Sequence, residues 1–390
     1  MKPYLRRGCD VLLGVLYLGL LGSSYQLFLR QAIHYPGKLG VYDSDLPVHI
    51  SEGINGTSYS LMERSYGFLM DTLGLNEKAA ALWLAFLTGA TVLALWVLLC
   101  RLFPAGSKRA LHFLAFACSF VMPLYIPWVN DYRYMGMQSG NLWHNSTYLG
   151  MKFAAVLVLL IYFSWMKRYQ EGIGVGRWLL FTASLIFVNL MKPNFILCFA
   201  PAMGIWLLGD CVQAKGRTLK YQILFGIPVL LSLLVVIYQT AVLFQGEGDG
   251  SRITLMLSYN FLKYNRYPGA ALLQSAAFPL LVLAGNLKEL KKDKAFGFSW
   301  LVWLFGLLTY LFVGEEGPRK THGNFSWGYS FCVFLVFAVC AVKVYEKVKE
   351  GKLSPMRKAY FAGTGAVFLW HLGCGLTYFI HLYLGGTYIC

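Results

Sequence analysis

Charged residues are scarce in this sequence, and acidic residues are scarcer than basic ones. Asp, Glu, Lys and Arg make up 13% of the 390 residues, with 34 Lys and Arg against 18 Asp and Glu, whereas 57% are hydrophobic. No polar stretch is long enough for a soluble domain, which usually needs about 50 residues and a core of its own. The composition therefore excludes a soluble globular protein and predicts one integral membrane domain over 1–390.

Motifs for disulfides, zinc and nucleotides are also missing. The nine cysteines form no C-x-x-C pair, so neither a disulfide framework nor a zinc site is indicated. No Walker loop or Rossmann glycine pattern is present, which disfavours a cytoplasmic nucleotide substrate. The net charge of +16 comes largely from short basic loops, so it indicates topology and contact with anionic membrane lipid rather than nucleic acid.

Long apolar segments dominate what is present. Spanning a bilayer takes about 20 helical residues, and the segments with this character are 9–29, 80–103, 110–128, 150–166, 177–191, 194–209, 221–243, 269–286, 296–313, 327–345 and 359–380. The short pair on either side of Lys192-Pro193 is either two spans or a hairpin that does not fully cross. The predicted fold class is all-α and polytopic, with about eleven transmembrane helices.

The distribution of Lys and Arg predicts the orientation. With a cytoplasmic N-terminus, most of the basic residues fall in the inside loops, as the positive-inside rule requires. The outside loops are longer and mixed in charge, so chemistry is expected on the extracytoplasmic side. The segment 245–269, one of these outside loops, carries a weaker set of basic and aromatic residues.

The first outside loop, 30–79, predicts interfacial helices. Asp45 with Pro47 nearby is a good helix start, and on that helix Asp45, His49 and Glu52 share one face. Further along, an apolar stripe at helical spacing is typical of an amphipathic helix in the membrane interface. The stripe comprises Met62, Tyr66, Leu69, Met70 and Leu73, beside Glu63, Arg64 and Asp71.

Two carboxylates and an imidazole, those of Asp43, Asp45 and His49, lie within seven residues of this loop. A carboxylate there can accept a proton from an attacking hydroxyl. An Asp-x-Asp pair can also hold a divalent cation such as Mg²⁺ or Mn²⁺. The alternative is that Asp45 only caps a helix and Asp43 is solvated. The presence of His49 and Glu52 on the same helix face favours the chemical role.

A late outside loop, 314–327, contains Arg319, Lys320 and His322. A guanidinium binds phosphate as a two-pronged fork and an ammonium binds it as a point charge. These side chains therefore predict phosphate binding. The alternative is a solvated loop in which Glu and Arg neutralise each other.

Two further segments carry polar residues at the edge of a span. His144 and Asn145 precede the fourth span and are candidates to contact a sugar hydroxyl or a phosphate, although Trp and Tyr beside them are typical interfacial anchors. Lys192, between the two short spans, must either meet an anion or snorkel to the outer surface.

Together these features resemble the GT-C superfamily of membrane glycosyltransferases, and in particular its uncharacterised bacterial members. GT-C enzymes are polytopic helical proteins that use polyprenyl-phosphate-linked sugars. The resemblance covers most of the chain and rests on the segments Tyr42-Asp43-Ser44-Asp45, Trp143-His144-Asn145, Lys192-Pro193-Asn194 and Arg319 to Phe325.

The resemblance implies an inverting transferase in a bacterial cell membrane. Asp45, or Asp43, would be the catalytic base, and Arg319 with Lys320 or Lys192 would hold the lipid phosphate as it leaves. The acceptor would be lipid-linked or a glycan, on the extracytoplasmic face. The rival functions are a transporter or flippase of a lipid-linked or anionic solute, an extracytoplasmic glycan polymerase or ligase, and an integral-membrane acyltransferase.

Overall fold

A computed structural model describes residues 3–243, 252–351 and 353–389 of the protein. Nine helices in this part of the chain are long and apolar enough to cross a membrane. They are α1 (Pro3–Ala32), α4 (Glu77–Leu102), α6 (Ser146–Trp165), α8 (Asn194–Gln213), α9 (Leu219–Leu243), α11 (Pro268–Gly285), α13 (Lys294–Phe312), α14 (Ser326–Lys349) and α15 (Pro355–Tyr383). The predicted all-α membrane architecture is confirmed at this level.

Shorter elements connect the long helices. They are α2 (Leu46–Ile54), α3 (Leu61–Leu73), α5 (Lys108–Cys118), α7 (Val175–Met191), α10 (Tyr259–Lys263), α12 (Glu289–Lys292) and two short 3₁₀ segments, Tyr169–Glu171 and Gly317–Thr321. Strands β1 (Arg252–Leu255) and β2 (Val313–Glu316) pair antiparallel, with Arg252 opposite Glu316. Residues 244–251, at the start of the predicted outside loop 245–269, lie outside the described residues.

The segment 110–128 is not the continuous helix that its hydropathy predicts. Helix α5 ends at Cys118, and the buried chain beyond it is irregular. Pro123 and Pro127 explain the difference, since proline has no N–H to donate and disfavours the helical conformation of the residue before it.

Side chains of neighbouring helices satisfy the backbone of this irregular segment. His371 Nδ1 of α15 lies 2.7 Å from the Met122 carbonyl oxygen. Gln274 of α11 donates to the Leu124 carbonyl at 2.8 Å. Asn141 Nδ2 donates to the carbonyls of Cys118 and Val121 at 2.9 and 2.8 Å. Buried backbone that is not helical needs such internal partners, because its N–H and C=O groups are removed from water.

The long helices form a bundle, and the termini of neighbouring helices meet at each of its two opposite ends. We define the site end as the one where α1, α7 and α15 finish and α6, α8 and α14 begin. There the backbone N–H of Leu39, just after α1, donates to the Leu384 carbonyl after α15 at 3.1 Å. The opposite end holds ion pairs between Arg109 and Asp10 (2.6 Å) and between Lys343 and Asp293 (2.5 Å).

The first outside loop contains both predicted helices, α2 and α3, and they pack on each other. Gly53 of α2 allows the close approach, since a Cβ there would lie 2.1 Å from the Glu63 carbonyl oxygen. On α3, Met62 and Tyr66 of the predicted apolar stripe are fully buried, but Leu73 is exposed. The stripe therefore packs into the protein through Met62, Tyr66 and, in part, Met70.

Candidate functional site

Asp45 occupies the N-cap position of α2, but its side chain makes no capping hydrogen bond. Ser44 instead makes the side-chain hydrogen bond to the backbone at the start of α2. Its Oγ accepts a hydrogen bond from the Leu46 backbone N–H at 3.1 Å and donates to the His144 carbonyl at 2.8 Å. The Asp45 carboxylate turns towards the start of α6, where Oδ2 accepts from Asn145 Nδ2 at 3.3 Å. Helix capping therefore does not account for this carboxylate.

Asn145 is held in place by its own capping role. Its Oδ1 accepts from the Tyr148 backbone N–H and from Thr147 Oγ1, both at 2.9 Å. A side-chain oxygen at an N-cap commonly satisfies an N–H of the first helical turn. Because Oδ1 is engaged with the helix, the amide Nδ2 is directed to Asp45. The local sequence Asn145-Ser146-Thr147 thus orients the partner of the carboxylate.

Lys192 is a buried cation at the site end, with 7% of its surface exposed. Its Nζ donates to Thr147 Oγ1 at 2.8 Å and lies 4.8 Å from the centre of the Trp327 ring. Burial lowers the pKa of Lys192 to about 8, although Glu63 and Asp45 attract the charged form. Among the described residues no carboxylate forms a contact ion pair with Lys192, and its burial shows that it does not simply snorkel to the surface.

These contacts form one chain of hydrogen bonds across the site. Lys192 donates to Thr147, Thr147 donates to Asn145, and Asn145 donates to Asp45. Three segments that are distant in sequence are joined in this way, and a buried ammonium and a carboxylate stand at its two ends. Hydrogen bonds between polar groups in a low-dielectric interior reinforce one another.

Two aromatic rings, those of Tyr388 and His144, lie near Asp45. The Tyr388 phenol hydrogen-bonds to the Asp45 carboxylate, and burial together with the negative charges nearby raises the pKa of Tyr388, so the phenol is the donor. Its ring stacks on the His144 imidazole, with centroids 4.1 Å apart and planes 9° from parallel. Burial lowers the pKa of His144 to about 4, despite attraction by Asp45, so this imidazole is neutral at pH 7.

His144 also has an unused polar atom. The residue is 4% exposed, and its Nδ1 is buried without a hydrogen-bond partner among the described residues. Its Nε2 lies 3.3 Å from the Tyr134 hydroxyl. Buried polar atoms in proteins are nearly always partnered, so a ring nitrogen left open beside Asp45 is suited to a ligand.

His49 pairs with Glu63 beside this chain. The His49 Nδ1 lies 2.6 Å from Glu63 Oε1 and 3.9 Å from Glu52 Oε2. Burial by itself lowers the pKa of His49, but the contacts with Glu52 and Glu63 outweigh it and raise the pKa to about 9. Glu63 also accepts a hydrogen bond from Ser58 and is buried. A buried ion pair thus borders the side of the site that faces Lys192.

The late loop reaches the same region through Asn194 and Tyr59. Asn194 Nδ2 donates to the Asn324 carbonyl at 2.6 Å. Burial, followed by the charges of Glu63 and Glu52, raises the pKa of Tyr59 to about 12, and Arg319 opposes this shift from the late loop. The charge of Arg319 thus acts on Tyr59 of the first outside loop.

The other residues predicted for the site take no part in the hydrogen-bonded chain from Lys192 to Asp45. The Nζ of Lys320 lies 5.2 Å from the Tyr259 ring, and the His322 side chain is exposed. Glu52 is about half exposed and contacts His49 at the edge of the site. Asp43 Oδ2 accepts a hydrogen bond from Thr387 Oγ1 at 3.4 Å, next to Tyr388.

The geometry offers little for the predicted divalent cation at Asp43 and Asp45. Within the described ranges, the side chains close enough to share a metal ion are His49, Glu52 and Glu63, whose ligand atoms lie within 4.8 Å of one another. Neither Asp43 nor Asp45 belongs to this group. His49 and Glu63 already pair directly, and a cation would face Lys192 nearby. The residues present therefore do not fit a metal held by the Asp-x-Asp pair.

Comparison with known proteins does not assign the chain. A scan against models of protein families gives no match, and a search of curated proteins gives no significant relative.

Two important residues escape prediction from the sequence. Glu63 follows Met62 in the amphipathic stripe and reads as a solvent-facing charge, but the packing of α3 on α2 buries it against His49. Tyr388 lies more than 340 positions from Asp45, and no local pattern relates the two. The only signal for Glu63 was its place within one residue of the buried arc of α3.

Proposed function

We propose that this protein is a membrane glycosyltransferase that moves a sugar from a polyprenyl-phosphate donor to a hydroxyl of a lipid-linked or glycan acceptor. The observation that supports this most is the hydrogen-bonded chain from Lys192 to Asp45. It holds a buried cation and a carboxylate at a fixed separation, with Arg319 nearby. Transfer from a phosphate leaving group needs both a base and a cation.

Each group has a defined task in the reaction. The acceptor hydroxyl oxygen attacks the anomeric carbon, and its proton passes to Asp45. The bond between the anomeric carbon and the phosphate oxygen breaks, and the electron pair stays on the lipid phosphate. Lys192 and Arg319 stabilise that phosphate, because preorganised cations act strongly where charge develops. Attack from the face opposite the leaving group gives inversion, as the resemblance to GT-C enzymes implies.

The buried His49–Glu63 pair prepares the phosphate site. Glu63 attracts the Lys192 ammonium before the donor binds, which offsets part of the cost of burying a charge. A donor phosphate would supply the contact ion pair that Lys192 lacks among the described residues. His144 and Tyr388 would face the sugar or the acceptor through polar atoms and flat rings.

The proposal includes eleven crossings and a cytoplasmic N-terminus, in a bacterial cell membrane. Helix α7 and the broken crossing made by α5 with residues 119–128 would be the tenth and eleventh. This arrangement puts the basic loops inside, consistent with the positive-inside rule, and the site end outside. Helices α2 and α3 would lie in the outer membrane interface.

The proposal is tested by replacing Asp45 with Asn in purified, reconstituted protein supplied with a panel of polyprenyl-phosphate sugars and acceptors. The expected loss of transfer is about 10²–10⁴-fold, the usual contribution of a general base. Asp10→Asn is the matched control, because Asp10 forms only an exposed ion pair at the opposite end, and such pairs contribute little. Full turnover by Asp45→Asn contradicts the assignment.

A transporter or flippase is the second candidate, and one observation favours it. Interrupted helices at membrane depth are typical of substrate sites in transporters, and the chain after α5 is such an interruption. Its backbone, however, is satisfied by side chains of α11 and α15, which suits a fixed structural element. Passage of intact donor across the bilayer without a new glycosidic bond would favour transport.

A further inference from the structure

Two lysines from separate segments meet at one tyrosine ring at the site end. Lys263 is the last residue of α10, and Lys320 lies in the Gly317–Thr321 turn before α14. The Lys263 Nζ lies 5.6 Å and the Lys320 Nζ 5.2 Å from the centre of the Tyr259 ring. Lys263 Nζ is also 5.0 Å from the centre of the Tyr264 ring. These distances are typical of cation–π contacts, and we call the four residues the lysine–tyrosine cluster.

The positive charge of this cluster is not neutralised by a neighbouring acid. Among the described residues neither of the two ammonium groups forms an ion pair with a carboxylate. The acids of strand β2 have other partners, since Glu316 pairs with Arg252 at 2.7 Å and Glu315 accepts from Asn324 at 2.8 Å. Both lysine side chains are exposed, so an anion can reach them. Two like charges that share one ring repel each other, and an anion between them would relieve that repulsion.

Tyr132 and Tyr134 connect the cluster to the acceptor side of the proposed site. The Tyr132 ring packs edge-on against the Tyr264 ring of the cluster, with centroids 5.1 Å apart. Two residues further along, the Tyr134 hydroxyl lies 3.3 Å from His144 Nε2. The His144 ring in turn stacks on Tyr388, whose phenol bonds to the candidate base. The cluster and the base are therefore linked by one short segment of the chain.

The chemistry of the cluster defines the class of ligand. An ammonium group binds phosphate as a point charge, and a tyrosine ring offers a large apolar face to a sugar. We propose that the lysine–tyrosine cluster binds a phosphate group carried by the acceptor glycan. The inference rests on the proposed function and names the acceptor as a phosphorylated sugar. It is separate from the donor phosphate site, which is assigned to Lys192 and Arg319 in other segments.

The test measures binding of glucose 6-phosphate to the purified full-length protein in phosphatidylcholine nanodiscs, by saturation-transfer NMR. Wild type is expected to bind this probe more tightly than methyl glucoside, its neutral counterpart. The double variant Lys263→Gln/Lys320→Gln is expected to bind the probe about tenfold more weakly, because it loses two charge-assisted contacts. Lys263→Arg/Lys320→Arg should retain binding, since both charges are kept.

A matched control removes the same charge elsewhere. Lys291 and Lys292 are exposed lysines of α12 at the opposite end, so Lys291→Gln/Lys292→Gln should bind the probe like wild type. A loss of binding confined to Lys263→Gln/Lys320→Gln supports the inference. A loss of equal size in the control would mean that net charge alone attracts the probe, and would overturn it.

The remaining outcomes identify the competing sites. If Lys192→Met weakens binding as much as Lys263→Gln/Lys320→Gln does, the probe occupies the donor phosphate site and the inference fails. Equal probe binding by wild type and Lys263→Gln/Lys320→Gln also overturns it. If only the wild type then retains phosphatidylglycerol in native mass spectrometry, the cluster holds a membrane lipid headgroup instead. Full transfer activity in Asp45→Asn would contradict the proposed function without changing these binding results, so the two proposals can fail separately.

Discussion

At this site some side chains are available for a ligand because a neighbouring residue makes the backbone contact that is expected at their position. Asp45 stands at a helix N-cap, but Ser44 serves the turn, so the Asp45 carboxylate is available to Asn145 and Tyr388. Asn145 caps α6 with one side-chain atom and binds Asp45 with the other. Aspartate is common at helix N-caps, but here the Asp45 carboxylate is directed to other partners and becomes a candidate base.

Lys192 gives the site a predicted pH dependence. Burial lowers its pKa to about 8, so the ammonium is present below that pH and is lost as the pH rises through it. Donor binding, measured as the dissociation constant of a polyprenyl-phosphate sugar, is expected to weaken above pH 8. Lys192→Arg should retain binding to higher pH, because a guanidinium keeps its proton. The same decline in Lys192→Arg and wild type would exclude Lys192 as the phosphate ligand.

Tyr388 occupies a position where an acceptor hydroxyl would meet the base. Its phenol donates to Asp45, as the acceptor must do before attack. Tyr388→Phe keeps the stacking on His144 but removes this competing donor, so KM for the acceptor is expected to fall several-fold with little change in kcat. Tyr383→Phe, a phenol at the end of α15, is the control. A large loss of kcat in Tyr388→Phe would mean instead that the phenol positions Asp45.

At the scale of elements, the sequence predicts the long helices well and the interrupted segment 110–128 poorly. Nine of the predicted spans correspond to helices that are long and apolar enough to cross a membrane, and a tenth, 177–191, corresponds to the shorter helix α7. The run 110–128 has the same hydropathy, but Pro123 and Pro127 prevent a continuous helix there. Its actual backbone partners, His371 and Gln274, lie far along the chain, and hydropathy carries no record of such contacts.

The residues of the candidate site are likewise only partly predictable from the sequence. Asp45, His144, Asn145, Lys192 and Arg319 could be selected from residue type and position at the ends of spans. The contacts of Glu63 and Tyr388 depend on how α2 packs on α3 and where the chain returns after α15. Those arrangements are set by tertiary packing, which local periodicity does not specify.

The interrupted segment 110–128 gives a prediction about stability. His371→Leu removes the ring that meets the Met122 carbonyl and the Phe278 backbone N–H. Leaving buried backbone groups unpartnered costs about 1–3 kcal/mol, so the apparent melting temperature in detergent is expected to fall. His381→Leu, in the same helix but half-buried near its end, should have a smaller effect. Equal melting temperatures for both variants would contradict the bracing role of His371.

At the scale of the whole molecule, the two ends of the bundle differ in how their charged side chains are arranged. The opposite end is basic and built from direct ion pairs such as Arg109–Asp10 and Lys343–Asp293. The site end combines the first outside loop, the late loop and the chain after α15. It holds the buried His49–Glu63 ion pair, and it links the Lys192 ammonium to the Asp45 carboxylate through the neutral side chains of Thr147 and Asn145.

The proposed orientation is tested by cysteine labelling in intact cells. In a background without native cysteines, Ser51→Cys at the site end should react with a membrane-impermeant maleimide. Lys167→Cys at the opposite end should react only after the cells are made permeable. Both positions are exposed, so access to the reagent decides the result. The reverse labelling pattern would place the site in the cytoplasm.

The most direct test of the central claim separates donor binding from transfer in the Asp45→Asn and Lys192→Met variants. Reconstituted protein is given a donor with a labelled sugar, and both the bound donor and the new glycosidic bond are measured. The account predicts that Asp45→Asn binds donor like wild type but transfers about 10²–10⁴-fold more slowly, whereas Lys192→Met loses donor binding. Wild-type transfer rates in Asp45→Asn, or intact donor crossing the bilayer with no bond formed, would contradict it.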